Sequence, residues 1–236
     1  MADQPLIILF VKALVRGQVK SRLSSALGED DTLELYKNFC LDILDTLQQT
    51  GVPVMIGYYP PGSRNAVAGW LGPEQQYLPQ EGRDVGERME NAFRQTFNRG
   101  FSRVVLIGSD IPDLPAPLIN EALAALHMHD AVIGPARDGG YYLIGFRNDT
   151  FFPGVFSGIA WSTGTVFRST MQSFGKAGQR VHELPLWQDV DTIEDLKDLA
   201  ARGRRSTFNS SRTMSFLAVI KNTLFPSEVR DANIRL

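Results

Sequence analysis

Asp110 stands where a buried strand would break off. The run Val104-Val105-Leu106-Ile107 is apolar and β-branched, as a strand covered on both faces should be. Gly108 allows a close backbone approach, and Pro112 stops the strand. Pro115 and Pro117 then lead into Ile119, Leu123 and Leu126, spaced i, i+4, i+7 as on one helix face. A carboxylate at the carboxyl end of such a strand lies on the edge where open α/β sheets bind ligands. The competing reading is a turn or a helix cap.

The second signal is charge. Lys12, Arg16, Lys20 and Arg22 are four cations with no acid among them, in a chain whose net charge is −2. They follow the first apolar run, residues 6–11, and Gly17 lets the backbone turn. A basic loop there suits a polyphosphate. A solvated basic loop is the plain alternative. The chain carries neither G-x-x-x-x-G-K-[ST] nor G-x-G-x-x-G at this point.

Four further stretches offer candidate groups. Around Gln80, Gly82 and Arg83 a glycine-bounded loop could read a nucleobase, or Asp84 and Glu87 simply cap the next helix. Asp138-Gly139-Gly140 is either a hairpin turn or a close backbone approach over a sugar or ribose, with Asp138 accepting from hydroxyls. Trp161 is a stacking platform for a sugar or acceptor, or a core aromatic. Asp189 and Asp191, two apart in extended chain, share one face, and Thr192 with Asp195 resembles a capping box. A metal role for that stretch requires that it meet Asp110.

The elements that must position these groups alternate in type. Residues 6–11 read as a central strand. A helix capped at Asp31, with Glu34 at N3, carries the stripe Leu33, Tyr36, Cys40, Ile43, Leu44 and Leu47 and ends at Gly51. Residues 52–59 form the next strand, so the unit is a parallel βαβ with a right-handed crossover. A short helix over 66–71 puts Trp70 in the core. Met89, Phe93 and Phe97 mark another helix; strands are expected at 131–134, 141–146 and 181–185, and a helix over 165–174. Past Leu199 a basic, serine-rich linker leads to a short amphipathic helix over 214–224, with Phe216, Leu217, Ile220 and Leu224 on one side. The chain thus divides into a domain over 1–202 and a basic linker with a helical appendage over 203–236, docked on the domain or on a partner chain.

Composition narrows the class. A chain of 236 residues, 43% hydrophobic and 21% charged, can bury a sizeable core as one large α/β domain or two small ones. Its slightly negative balance argues against a general nucleic-acid binder. The single cysteine, Cys40, rules out an internal disulfide and lies on a helical stripe, where packing is its expected role. Residues 6–11 are too short to span a membrane, and no small-residue cleavage site follows them. No His-x-x-x-His or Cys-x-x-Cys spacing supports structural zinc. The expectation is a cytoplasmic protein.

Six motifs occur in order: Phe10-Val11-Lys12-Ala13 with Gly17-Gln18-Val19-Lys20-Ser21-Arg22-Leu23; Gly82-Arg83-Asp84-Val85-Gly86-Glu87-Arg88-Met89; Gly108-Ser109-Asp110-Ile111-Pro112-Asp113-Leu114; Gly134-Pro135-Ala136-Arg137-Asp138-Gly139-Gly140-Tyr141-Tyr142-Leu143-Ile144-Gly145; Trp161-Ser162-Thr163; and Asp189-Val190-Asp191-Thr192-Ile193-Glu194-Asp195-Leu196. Over about residues 6–200 the chain resembles the bacterial family of uncharacterised glycosyltransferase-A-type transferases associated with radical SAM or selenium domains. That family is similar to nucleotide-diphospho-sugar transferases and to nucleotidyltransferases such as the phospholactate guanylyltransferases. The resemblance implies a Rossmann-like three-layer α/β/α fold with a mixed, mostly parallel sheet. It also implies a nucleotide over the first half of the sheet and Mg²⁺ or Mn²⁺ at the strand end. Carried over by motif, Asp110 matches the metal aspartate and Asp191 a second acidic residue near the metal. Lys12, Lys20 and Arg22 match the phosphate loop, and Asp138, Gly139 and Gly140 the sugar-side loop. The Gly-rich loop with Arg-Met-Gly of the nucleotidyltransferases is missing, and where the glycosyltransferases carry Asp-x-Asp only Ser109-Asp110 stands. The expected function is metal-dependent transfer from a nucleotide-diphospho-sugar to an unknown acceptor. The alternative is nucleotidyl transfer from an NTP to a phosphorylated acceptor with release of pyrophosphate, and a third reading is a non-catalytic nucleotide-binding module. The apolar tail adds the expectation of a homodimer.

Overall fold

The computed structural model describes residues 3–220. Its centre is β1 (Pro5–Lys12), whose residues alternate strictly between two buried faces. Ile7, Leu9 and Val11 point to one side of the sheet, and Leu6, Ile8 and Phe10 to the other. Parallel partners flank it: β2 (Val54–Tyr59) on one side and β4 (Arg103–Gly108) on the other. With β3 (Gln76–Pro79), β5 (Ala131–Pro135), β6 (Tyr141–Arg147) and β7 (Val181–Glu183) they form a seven-stranded sheet of order β3-β2-β1-β4-β6-β5-β7. Only β6 runs antiparallel, paired with β4 and β5. The three-layer, mixed and mostly parallel architecture read from the sequence is therefore the one the chain adopts.

Helices cover both faces. On one lie α2 (Glu29–Gln48) and α5 (Ala116–Ala125); on the other lie α4 (Val85–Asn98) and α6 (Val166–Lys176). The short α3 (Arg64–Leu71) contributes Val67 and Leu71, while Trp70 is half-buried against the same core. The helix expected to start at Asp31 starts at Glu29, with Gly28 before it. Glu29, Asp30 and Asp31 all fall in its first turn, where the helix dipole favours acids. A separate helix, α1 (Ser21–Leu27), stands in front of it.

A satellite core closes one end of the molecule. There α1, α2, α7 (Ile193–Gly203) and α8 (Arg212–Val219) bring together Leu23, Phe39, Val190, Leu196, Met214 and Leu217. Phe39 and Leu35 thus use a second face of α2, which is why more than one apolar stripe runs along that helix. The buried Asp42 of α2 receives the backbone N–H groups of Arg212 and Thr213 at 3.0 and 2.8 Å, tying down the start of α8. Ile220 packs in this core; Leu224, the last member of the expected stripe, lies outside the described residues.

Candidate active site

Three segments far apart in the chain meet at the carboxyl edge between β1 and β4. Asp110 lies two residues past the end of β4, and its carbonyl accepts from the Val190 N–H at 2.9 Å. Asp191 precedes Thr192, which caps α7 in a full capping box with Asp195; the Asp195 carboxylate also accepts the Asp191 N–H at 3.2 Å. Lys20 stands at the N-terminus of α1 with a left-handed backbone, φ 47°. Its ammonium donates to Asp110 Oδ1 at 2.6 Å, to Asp191 Oδ1 at 2.8 Å and to the Val190 carbonyl at 2.6 Å. The Lys20 side chain is only 4% exposed, whereas those of Asp110 and Asp191 are 48% and 37% exposed. A buried ammonium therefore sits beneath two carboxylates that open to solvent. Burial opposes its charge, but Asp110 and Asp191 outweigh that and hold its pKa above the ordinary lysine value.

Behind this centre a buried phenol links the two strand ends. Tyr36 of α2 accepts the Lys12 N–H at 2.9 Å and shares a hydrogen bond with Ser109 Oγ at 3.0 Å. Burial, with Cys40 and Asp110 nearby, pushes its pKa well up, so it stays a neutral donor. Cys40 beside it is fully buried, and burial pushes its thiol up to about 12; it packs, as its helical spacing predicts.

The acidic side of the edge is larger than the two carboxylates. Half-buried Asp189 is pushed up to about 6 by burial and by the charges of Asp138 and Asp191. Four carboxylates thus share this edge with the single buried ammonium. Among the described residues, no group of three or more His, Cys, Asp or Glu side chains is arranged to hold a metal by itself. The donor set still fits a hard divalent cation of the kind that takes one or two carboxylates and completes its shell with water and substrate phosphate. Asp110 and Asp191 are solvent-facing oxygen donors, and the excess of negative charge around them calls for a cation.

The other sequence candidates fall into place unevenly. Lys12 and Arg22 are exposed near the edge, and Arg16 is exposed and paired with Asp30. Gln80 is buried, and its amide donates to the Gly57 carbonyl at 2.7 Å and the Val11 carbonyl at 3.2 Å, clamping β3 across to β1. Gly82 packs on the start of α4, Asp84 caps that helix, and Arg83 is paired with Glu87. Gly139, at φ +87°, makes its close approach to the backbone of Gly164, and Asp138 accepts the Gly140 N–H at 2.7 Å in the hairpin turn. Trp161 is half-buried over Gly86 and edge-on to Tyr141. The positions from Gln80 to Trp161 make structural contacts that the residue types alone left open.

Tyr59 and Arg88 were not legible beforehand. Tyr59 ends β2 on the same edge, exposed, with the Arg88 guanidinium 4.6 Å from its ring centre, and Arg88 Nε is buried without a partner. The signal was available in part: Tyr59 is the last residue of an apolar run, hence at a strand's carboxyl end. A separate cleft of about 960 Å³ lies behind the β4–α5 loop, lined by Asp113, Trp187, Phe208 and Arg202. Its cations are matched, Arg202 with Asp113 and Arg212 with Asp42 and Asp45.

Residues 43–163 match the family described as uncharacterized protein conserved in bacteria (DUF2064). A crystal structure of a provisionally named nucleotide-diphospho-sugar transferase from Desulfovibrio desulfuricans G20 is 41% identical, with a TM-score of 0.92. The match covers 95% of this chain and 98% of that one. A 2-phospho-L-lactate guanylyltransferase of Methanopyrus kandleri is 31% identical over 112 residues, 46% of this chain; the chain spans 56% of that relative's length. The manganese complex of Rv0371C from Mycobacterium tuberculosis H37Rv, 19% identical with a TM-score of 0.51 over 84% of this chain and 98% of its own, shares the fold.

Proposed function

The chain belongs to the DUF2064 family, and from that premise we propose that it is a nucleotide-dependent transferase whose donor is a nucleotide-diphospho-sugar. The observation that carries this reading is the convergence of Lys20, Asp110 and Asp191 on the ligand-binding edge of a mostly parallel sheet. The strong likeness to the Desulfovibrio protein supports the same donor class. In this reading Asp110 and Asp191 hold Mg²⁺ or Mn²⁺. When bound, the cation supplies charge neutralisation at the diphosphate. Support for a metal comes from the donor chemistry of the pair and from the manganese complex of a protein with this fold.

The chain's own groups do the rest. Lys12, Lys20 and Arg22 offer positive charge to the departing nucleoside diphosphate. Asp138, exposed at the hairpin, accepts from sugar hydroxyls, and the acceptor enters beside Trp161. Tyr59 with Arg88 supplies a flat, cationic platform for the base, at the end of the strand next to β1. Among the described residues no helix is long and apolar enough to cross a membrane, and a cytoplasmic homodimer fits the proposal.

A second reading is nucleotidyl transfer, favoured by the likeness to the Methanopyrus guanylyltransferase. The released product separates the two. Free nucleoside diphosphate supports glycosyl transfer; pyrophosphate supports nucleotidyl transfer. The first experiment is a thermal-shift screen of nucleoside triphosphates and nucleotide sugars with Mn²⁺, followed by product analysis on each hit. Failure of every nucleotide to raise the melting temperature sinks both readings. Binding without turnover, unchanged in Asp110→Asn, would instead identify a non-catalytic module.

A further inference from the structure

All three protons of the Lys20 ammonium are spoken for by Asp110, Asp191 and the Val190 carbonyl, which leaves none for a phosphate. A divalent cation held by the same pair of carboxylates would meet this ammonium at contact range, and like charges that close in a partly buried site repel strongly. The ammonium holds Oδ1 of each carboxylate, and a divalent cation on the remaining oxygens would sit close enough that each weakens the other's hold. We propose that the Lys20 ammonium and the divalent cation are alternative occupants of the Asp110–Asp191 pair, and that nucleotide phosphates settle the exchange by giving the displaced ammonium new acceptors. The inference rests on the metal-dependent transferase reading above.

The local backbone suits such an exchange. Lys20 is a non-glycine residue in the left-handed region, at the junction between a surface loop and α1. A backbone held in that region persists only while its surroundings over-determine it. Here the surroundings are the three acceptors, the Phe39 ring, 5.9 Å from Nζ, and the Leu23 and Ser24 N–H groups that donate to the Lys20 carbonyl at 2.8 and 3.1 Å. Loss of the acceptors to a metal removes the side-chain part of that support and leaves the backbone bonds of α1. The consequence is linkage: cation and nucleotide each bind weakly alone and strongly together, and by reciprocity each raises the other's affinity by one factor. Lys20 is then the residue that makes the free protein decline metal until substrate arrives.

The test uses the whole chain and follows Mn²⁺ by electron paramagnetic resonance, with and without a nucleoside diphosphate (GDP and UDP in turn). Wild type should bind Mn²⁺ weakly without nucleotide and tightly with it. Lys20→Met should bind nucleotide-free Mn²⁺ about tenfold or more tightly than wild type, because the competing occupant is gone, and should lose the share of the nucleotide coupling that exceeds direct metal–phosphate contact. Equal or weaker Mn²⁺ binding by Lys20→Met overturns the proposal. Should that variant not fold, lysine acylation of wild type read by mass spectrometry decides. Lys20 should be protected in the free protein and become labelled as Mn²⁺ is raised without nucleotide; labelling indifferent to Mn²⁺ overturns the exchange. If wild type binds both ligands with no coupling, the transferase reading stands and this inference falls. If it binds neither, both fall.

Discussion

Asp110 is the residue on which the chemistry turns. It is fixed by its place at the end of β4, by the Val190 N–H on its carbonyl and by Lys20 on its carboxylate. Asp110→Asn keeps the shape but halves the negative charge of the pair, and turnover of whichever nucleotide substrate the screen identifies should fall about 10²- to 10³-fold. Unchanged far-ultraviolet circular dichroism would show that the loss is chemical. Gly139 makes the opposite kind of prediction, structural and not catalytic. Its φ of +87° and its contact with the Gly164 backbone leave no room for a Cβ. Gly139→Ala should cost roughly 1–3 kcal/mol in urea denaturation; a loss under a few tenths would show that the hairpin relaxes around the methyl group. Cys40 is buried with its thiol pushed up to about 12, so it should resist a thiol reagent in the native protein and react stoichiometrically once unfolded.

At the scale of elements, the sequence was most legible where one residue pattern admits one structure. The runs that became β1 and β4 are unbroken and apolar, and both became central strands. The pair Thr192 and Asp195 looked like a weak capping box, yet both of its hydrogen bonds form. Other elements were hidden for physical reasons. β3 is four residues long and ends on a proline, too short for alternation to register. α1 follows the basic loop and buries only Leu23 and Leu27, so its apolar signal was drowned by charge. At the site, Asp110 and Asp191 could be nominated from their strand-end and cap positions. That a single ammonium would bridge them is a fact of tertiary geometry, written in no local spacing. The α7 cap itself can be tested. Asp195→Ala removes the reciprocal bond and the acceptor for the Asp191 N–H, and should cost about 1 kcal/mol of stability. A loss of Mn²⁺ affinity alongside would show that the cap also holds Asp191 in place.

For the molecule as a whole, the satellite core is the joint between the site and the C-terminal segment. Leu23, whose N–H donates to the Lys20 carbonyl, and Val190, next to Asp191, are both buried in it, together with Met214 and Leu217 of α8. We propose that α8 serves the main domain as a brace for that corner. Leu217→Asp places a charge in this core and should lower stability by about 2–5 kcal/mol. It should also weaken nucleotide binding, although Leu217 touches no part of the edge where the nucleotide is proposed to lie. A variant that loses stability while binding nucleotide with wild-type affinity would separate the brace from the site.

The bridge made by Lys20 also has a meaning for the chain while it is being made. Its acceptor Asp191 lies 171 positions further on. At synthesis rates of about 5–20 residues per second, roughly 10–30 s pass on the ribosome between the appearance of the ammonium and that of its second carboxylate. During that interval the four parallel strands β1 to β4 can already assemble around Asp110, but the charged centre cannot close. A nascent or prematurely terminated chain that stops short of residue 191 is therefore built without a finished site. Unfinished copies would not compete with finished ones for nucleotide.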